Sequence, residues 1–399
     1  MSTADVIVIG AGIVGAAVAH RAATRGLKVV LLERDVPGRQ GSGTTAGNVH
    51  IQTIHTRRPG QQVPVDVRRL LPLQRAARER WETWEEEIGA VGFRRCGGLM
   101  VAETPQQLED LHRKHLWERE MGIATEVLDA EQARSALPLL SSAVIGATWC
   151  GWDGFADPAL VTPTLVRHAI GAGAVLRVNT RVHALHRTDG GWFVQAGDEV
   201  WSAPAVVNAA GPWIGEISGL AGAPVDMSPT ALQMHTLVAG GLALPYVVAH
   251  VGEGLSVKQT DDGQIMVGGG WPAGPMGPDG QADARQSSIE ANLGQVRRIL
   301  PAIGARPLDR VWTGPLAACA DEMPVVGEVS RTPGMFVVGG TYSFTFAPLW
   351  GDLVADLVMG IETVLEISDL GPDRLLAGGT GQDDGTGQDD GTGQDDGAG

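Results

Sequence analysis

The apolar run DVIVIG (5–10) ends in glycine and opens the pattern GAGIVG (10–15), and Val14, Val18 and Ala22 then follow at helical spacing. Gly26 supplies a helix stop, and a second apolar run, LKVVLLE, ends at Glu33. A strand, a glycine-rich turn, a helix and a second strand in about 30 residues make a β-α-β unit. G-x-G-x-x-G alone is a weak signal, but this context is specific. Gly10 permits the tight turn, Gly12 lets the backbone approach a pyrophosphate, and Gly15 allows close helix–strand packing. The helix start, including Ile13 and Val14, offers N–H groups and a positive dipole end to phosphates. Glu33 can accept from both ribose hydroxyls, and its charge disfavours a 2′-phosphate, so NADP is not expected. A dinucleotide is therefore expected, rather than a purely structural turn.

The rest of the chain interleaves two kinds of element. A surface helix is expected over 66–89, with Pro72 near its start, then a strand over 97–104 and two helices within 105–138, the second capped by Asp129. A helix over 159–172 is followed by extended segments at 174–187, 191–197 and 204–211. Glycine-separated alternating segments over 231–270 predict an antiparallel sheet. Helix 284–300, strand 335–340 and a last helix Leu349–Ile367 complete the body. The expected class is α/β (α+β): a Rossmann-like lobe of discontinuous segments plus an antiparallel-sheet substrate lobe. We assign 1–88, 146–222 and 318–376 to the first lobe and 89–145 and 223–317 to the second. Residues 377–399 carry three GTGQDD repeats, a disordered tail with no apolar anchor.

Composition narrows the function. The net charge is −16, and with six acids in the tail the body still carries −10, so the chain lacks the electrostatic footprint of a nucleic-acid binder. Cys96, Cys150 and Cys319 show no paired spacing, so no disulfide framework or metal site is read and the reducing cytoplasm is expected. No window offers roughly 18 uninterrupted apolar residues for a membrane span.

After Glu33 comes RDVPGRQGSGTTAGNVH, a Gly/Ser/Thr-rich loop where an NAD domain would usually continue into a third parallel strand. Such a loop can run along a flavin instead. At these residues the chain resembles the FAD-dependent D-amino acid oxidase, glycine oxidase and sarcosine oxidase family. The matching pieces are DVIVIGAGIVG, SGTTAGN (42–48), DGFADP (153–158), TRVHAL (180–185), AVVNAAGPW (205–213) and ADEMPVVG (320–327), spread over roughly 1–370. GGLMVAET, MVGGGWPAG and TFAPLWG look most like the flavin subunits of opine oxidases and D-hydroxyproline dehydrogenases, with glycine oxidases as neighbours.

The resemblance implies that Gly10, Gly12 and Gly15 hold the pyrophosphate, and that Glu33, Arg34 and the Val182 backbone face the adenosine. It places Thr44, Thr45, Ala46, Gly47 and Asn48 along the isoalloxazine edge and Ala210, Gly211 and Trp213 beside the diphosphate. It also makes Gly340, Tyr342, Ser343, Phe344, Thr345 and Phe346 the start of a helix aimed at the flavin. Leu316 stands where many members carry an arginine that grips the substrate carboxylate, and Ser343, Phe344 and Thr345 replace the usual Gly-His-Gly. Gly314 and Thr45 stand where relatives attach the flavin covalently, so noncovalent FAD is expected.

No residue is singled out as a certain catalytic group. His50 is read either as a substrate-facing residue or as a satisfied loop histidine, and Lys258 either as a carboxylate partner or as a solvated strand lysine. His235 alternates with apolar neighbours, which favours the core over a pocket role, while Trp271, Tyr342 and Phe344 could wall a pocket or pack the sheet. The expected reaction is oxidation of the C–N bond of an amino acid or N-substituted amino acid by hydride transfer to flavin N5, with hydrolysis of the imine. Oxygen or an electron-accepting partner protein would take the electrons. The rivals are the flavin subunit of an opine or D-hydroxyproline dehydrogenase, a 2-hydroxy acid oxidase, and a binding module with vestigial FAD.

Overall fold

The computed structural model describes residues 2–54 and 67–376; the repeat tail lies outside them. Six helices organise it: α1 Ile13–Thr24, α2 Leu71–Ile88, α3 Pro105–Glu120, α4 Pro158–Gly171, α5 Gln286–Ile299 and α6 Ser343–Val358.

A six-stranded sheet runs in the order 325–328, 335–339, 205–208, 6–9, 29–32 and 175–177. Its neighbours are parallel except at the 325–328 edge. Its strands are apolar on both faces because both faces are covered. Val6, Val8, Val29 and Leu31 pack into a cluster with α1, α4 and α6, whereas Ile7, Ile9, Val30 and Leu32 pack with Trp192, Val194 and Trp201 of a small four-stranded sheet. The period-two alternation of a strand sends successive side chains to these two cores.

An eight-stranded sheet runs in the order 308–318, 228–237, 265–268, 256–259, 247–250, 98–102, 146–150 and 126–129. It is antiparallel except where 247–250 meets 98–102. Leu99, Val101, Val257 and Val267 on one face pack against Leu293, Val296 and Ile299 of α5. The strand 146–150 pairs with 98–102 and 126–129, so it shares this sheet and not the parallel one.

Local chemistry explains most boundaries. Asp129 caps the short helix Ala130–Ala136 through a capping box, as expected, and Pro72 stands in the first turn of α2. The expected extended run 174–187 is broken at Asn179 (φ 51°) and sends its halves to different sheets. The last helix is shifted from the expected Leu349–Ile367: it starts at Ser343 and stops at Val358, with Gly360 (φ 69°) ending it.

Gly351 of α6 packs against α1 so closely that a Cβ there would lie 2.9 Å from the Ala17 carbonyl oxygen. Gly351→Val should force these helices apart and cost roughly 1–3 kcal/mol, the range of overpacked cores. Urea denaturation of the variant would show this as a lower midpoint with unchanged slope.

Candidate functional site

A long cavity of about 380 Å³ lies along the ends of the strands 6–9, 29–32 and 335–339 and under the strand 308–318. At one end it is lined by Glu33, Arg34, Thr180, Arg181 and Val182, and in the middle by Gly10, Gly12, Ile13, Val14, Ala210, Gly211 and Trp213. At the other end stand Thr45, Ala46, Asn48, His50, Leu316, Gly340, Tyr342, Ser343, Phe344 and Thr345.

The glycine turn is set by contact. A Cβ on Gly15 would sit 1.9 Å from the Gly10 carbonyl oxygen, so Gly15 belongs to the packing and does not line the cavity. Gly10 needs its positive φ of 99°, and a Cβ there would press on Ala209 at 2.6 Å. Glu33 Oε2 accepts from Ala11 N–H at 2.8 Å and Oε1 from Asp35 N–H at 2.9 Å. Its carboxylate thus braces the turn as well as lining this end of the cavity. The Arg34 guanidinium lies 3.5 Å over the Trp213 ring, a cation–π contact that fixes both.

The loop after Glu33 folds back over α1. Ser42 Oγ accepts from Ile13 N–H at 2.8 Å, capping a helix whose Gly12 has no side chain to do so. Sequence reasoning passed over Ser42, as it did Arg39, Gln40, Thr180, Arg181, Pro315 and Ala317, which also line the cavity. The available signal was the need of a glycine-started helix for a cap from elsewhere. Thr44 and Gly47 hold the loop without lining the cavity: Thr44 O accepts from Trp312 Nε1 at 2.9 Å, and Gly47 (φ 71°) has no room for a Cβ, which would meet Ala156 O at 2.3 Å. Gly314 approaches the loop so closely that a Cβ would meet Thr44 Oγ1 at 2.1 Å.

The start of α6 is stitched to the same loop. Thr345 Oγ1 accepts from His50 N–H at 3.3 Å and donates to Asn48 O at 3.4 Å, while Thr345 O accepts from Trp81 Nε1 at 2.7 Å. Tyr342 reaches this turn in the left-handed region (φ 59°). Phe344 lines the cavity and stacks on Trp81, with centroids 5.9 Å apart. Phe346 instead is fully buried against Trp350, because two residues of helix turn it about 200° away from Phe344. Burial pushes the His50 imidazole down to about 4, with the Lys258 cation adding to that push, so it is neutral at pH 7.

Three other candidates lie away from the cavity. Lys258 is 2% exposed and donates to the Ala46 carbonyl instead of reaching into the space. Trp271 Nε1 is tied to Gly254 O at 2.7 Å. His235, 1% exposed, has neither ring nitrogen hydrogen-bonded among the described residues. Desolvation lowers its pKa to about 4. Its contribution to stability is therefore complete above the unfolded value of about 6.5 and is lost as pH falls toward 4, roughly 2–3 kcal/mol in all. His235→Leu should flatten the fall in melting temperature between pH 6.5 and 4.5; an unchanged slope would refute this.

The lining suits FAD. Asn48 Nδ2 donates to Ser256 Oγ at 2.7 Å, which leaves Asn48 Oδ1 buried and unpaired among the described residues, an acceptor for the N–H edge of an isoalloxazine ring. Glu33→Ala removes two charge-assisted bonds to the backbone besides any to a ribose, each worth roughly 1.5–3 kcal/mol. It should lower FAD affinity at least tenfold and reduce the melting temperature of the apoprotein. Dialysis followed by flavin absorbance measures the first effect and thermal denaturation the second.

The family model "DAO: FAD dependent oxidoreductase" matches residues 5–357. Glycine oxidase of Geobacillus kaustophilus is 26% identical over 91% of this chain and 95% of its own length. One of the opine oxidase subunits of Rhizobium meliloti is 25% identical over 84% of this chain and 88% of its own length. Human mitochondrial dimethylglycine dehydrogenase is 26% identical over 93% of this chain, which spans only 44% of that longer protein. The crystal structure of the G. kaustophilus glycine oxidase superposes with a TM-score of 0.83 at 24% identity, covering 93% of this chain and 98% of that one, a likeness of fold. Among the described residues no helix is long and apolar enough to cross a membrane, and no cluster of His, Cys, Asp or Glu could hold a metal. With the match running through the glycine turn, the groove and α6, the chain belongs to the DAO family of FAD-dependent oxidoreductases, and its cofactor is FAD.

Proposed function

We propose that this enzyme oxidises the C–N bond of an N-substituted amino acid, with simple amino acids as poorer substrates. The supporting observation is the character of the cavity end beyond Ala46, where Leu316, Tyr342, Phe344 and a neutral His50 form the walls. Bound FAD supplies hydride acceptance at N5; the substrate's Cα–H leaves as hydride, and the imine is hydrolysed by water to a carbonyl compound and an amine. The chain's part is to hold that C–H bond at the flavin end, exclude water with Leu316 and Phe344, and keep the substrate amine unprotonated beside apolar walls. A buried carboxylate with no partner would cost several kcal/mol there, so the carboxylate sits toward the mouth. Arg58, a candidate for holding it, lies outside the described residues.

The lobe division supports this reading. The parallel sheet and its helices carry the cofactor groove, and the eight-stranded sheet roofs the flavin end through Pro315, Leu316 and Ala317. The flavin is noncovalent in this proposal, since Gly314 and Thr45 supply neither the thiol nor the imidazole that would link it. Acid precipitation should leave all the yellow colour in the supernatant. Three unpaired cysteines fit a reducing compartment. The similarity to a subunit of an opine oxidase favours a second reading of the electron acceptor, a partner protein in place of oxygen.

Anaerobic flavin reduction by a panel of glycine, N-alkylglycines, opine-like amines and 2-hydroxy acids tests the proposal. Buried alkyl groups contribute about 0.8 kcal/mol per methylene, so kcat/KM should rise roughly fourfold with each one until the pocket is filled. If glycine or D-alanine outruns every N-substituted compound, the apolar-wall argument fails. If hydroxy acids alone reduce the flavin, so does the C–N assignment.

A further inference from the structure

Lys258 stands on the strand Ser256–Gln259 and faces away from α5, since its neighbour Val257 packs into the core on that side. Its stem and head are buried, the ammonium donates to the Ala46 carbonyl, and the same nitrogen lies 4.2 Å from the centre of the Phe155 ring. Two residues earlier on the strand, Ser256 Oγ accepts from Asn48 Nδ2 at 2.7 Å. Ala46 and Asn48 line the flavin end of the groove, and Lys258 lies one peptide group behind that wall.

We propose that Lys258 is a positioning residue, which clamps the loop 44–48 from behind and lends the flavin end of the groove a positive charge through the Ala46 peptide. The inference rests on the FAD assignment and is independent of the substrate proposed above. Burying an ammonium is costly, and packing alone would be met by a methionine of similar length. Here the charge is compensated by a carbonyl dipole and a ring face, with no carboxylate of the described residues in direct contact to cancel it outward. The ionisable groups facing it are Cys96, Asp157 and Asp261, with His50 across the loop. Desolvation lowers its pKa to about 7, with Cys96, Asp157 and Asp261 opposing that shift, so the charge is present below neutral pH and lost above it. A cation at this place favours electron uptake by the flavin, and its loss disfavours it.

The test is reductive titration of the holoenzyme with dithionite and a reference dye between pH 6 and 9, which needs no amine substrate. Lys258→Met removes charge and donor, whereas Lys258→Gln removes the charge and keeps a donor for Ala46. Both variants should have a more negative flavin midpoint potential than wild type at pH 6 and approach it by pH 9, having lost a break near pH 7. FAD affinity should fall about tenfold in Lys258→Met, the loss of one hydrogen bond, and within threefold in Lys258→Gln. If Lys258→Met does not load FAD, the Gln variant alone decides the charge effect. A wild-type potential and pH slope in a loaded neutral variant would overturn the proposal and leave Lys258 as packing. Failure of that kind would leave amine oxidation untouched, since substrate reduction is measured separately.

Discussion

The turn between the strand Val6–Ile9 and α1 closes so tightly that a single methyl group on Gly15 would overlap the Gly10 carbonyl, and the groove depends on that contact. It brings the start of α1 flush with the ends of the parallel strands, where Glu33 can reach across to Ala11 and Ser42 can cap Ile13. The backbone amides at the mouth are thereby divided between internal partners and the cavity. A looser turn would move α1 outward and separate it from α6, whose Gly351 rests on Ala17. The same constraint therefore fixes both ends of the cavity: the part at the glycine turn directly, and the part at residues 343–345 through the position of α6.

What was legible in the sequence was local. The β-α-β unit, the Asp129 cap, the tight turn at Gly10 and the close packing at Gly15 follow from short stretches of sequence, and they lie where expected. The residue pattern alone starts the last helix at Leu349, and only the family resemblance points to a start within 340–346, because the first turn of α6 follows a left-handed Tyr342 with no Ser, Thr, Asp or Asn cap to announce it. The sheet that takes 146–150 was hidden because its partners are 98–102 and 126–129, a non-local pairing that apolar alternation does not specify.

Side-chain direction was the other blind spot. Lys258 and His235 alternate with apolar residues on strands, and period two says that they share a face with something without saying what covers it. His235 shares a face with Gln233, which is hydrogen-bonded to Arg285 ahead of α5, while Lys258 faces the flavin loop. Trp271, open to either a pocket or a packing role from the sequence, has its indole held by Gly254 O away from the cavity. Phe344 and Phe346 are two residues apart and diverge because the chain there is helical and not extended.

The approach of Gly314 to Thr44 also bears on redesign of this enzyme. A cofactor tether of the kind made by a thiol would have to start from a side chain at that strand position, and even its first carbon collides with the threonine hydroxyl. Shortening Thr44 would remove its hydroxyl bond to Gln40 O, although that carbonyl would still accept from the Gly43 and Thr44 N–H groups and keep the four-residue helix Gly41–Thr44 that carries Ser42 to the cap of α1. If the flavin is held noncovalently, as proposed above, adding such a tether at this strand means changing positions 314 and 44 together, not making one codon change.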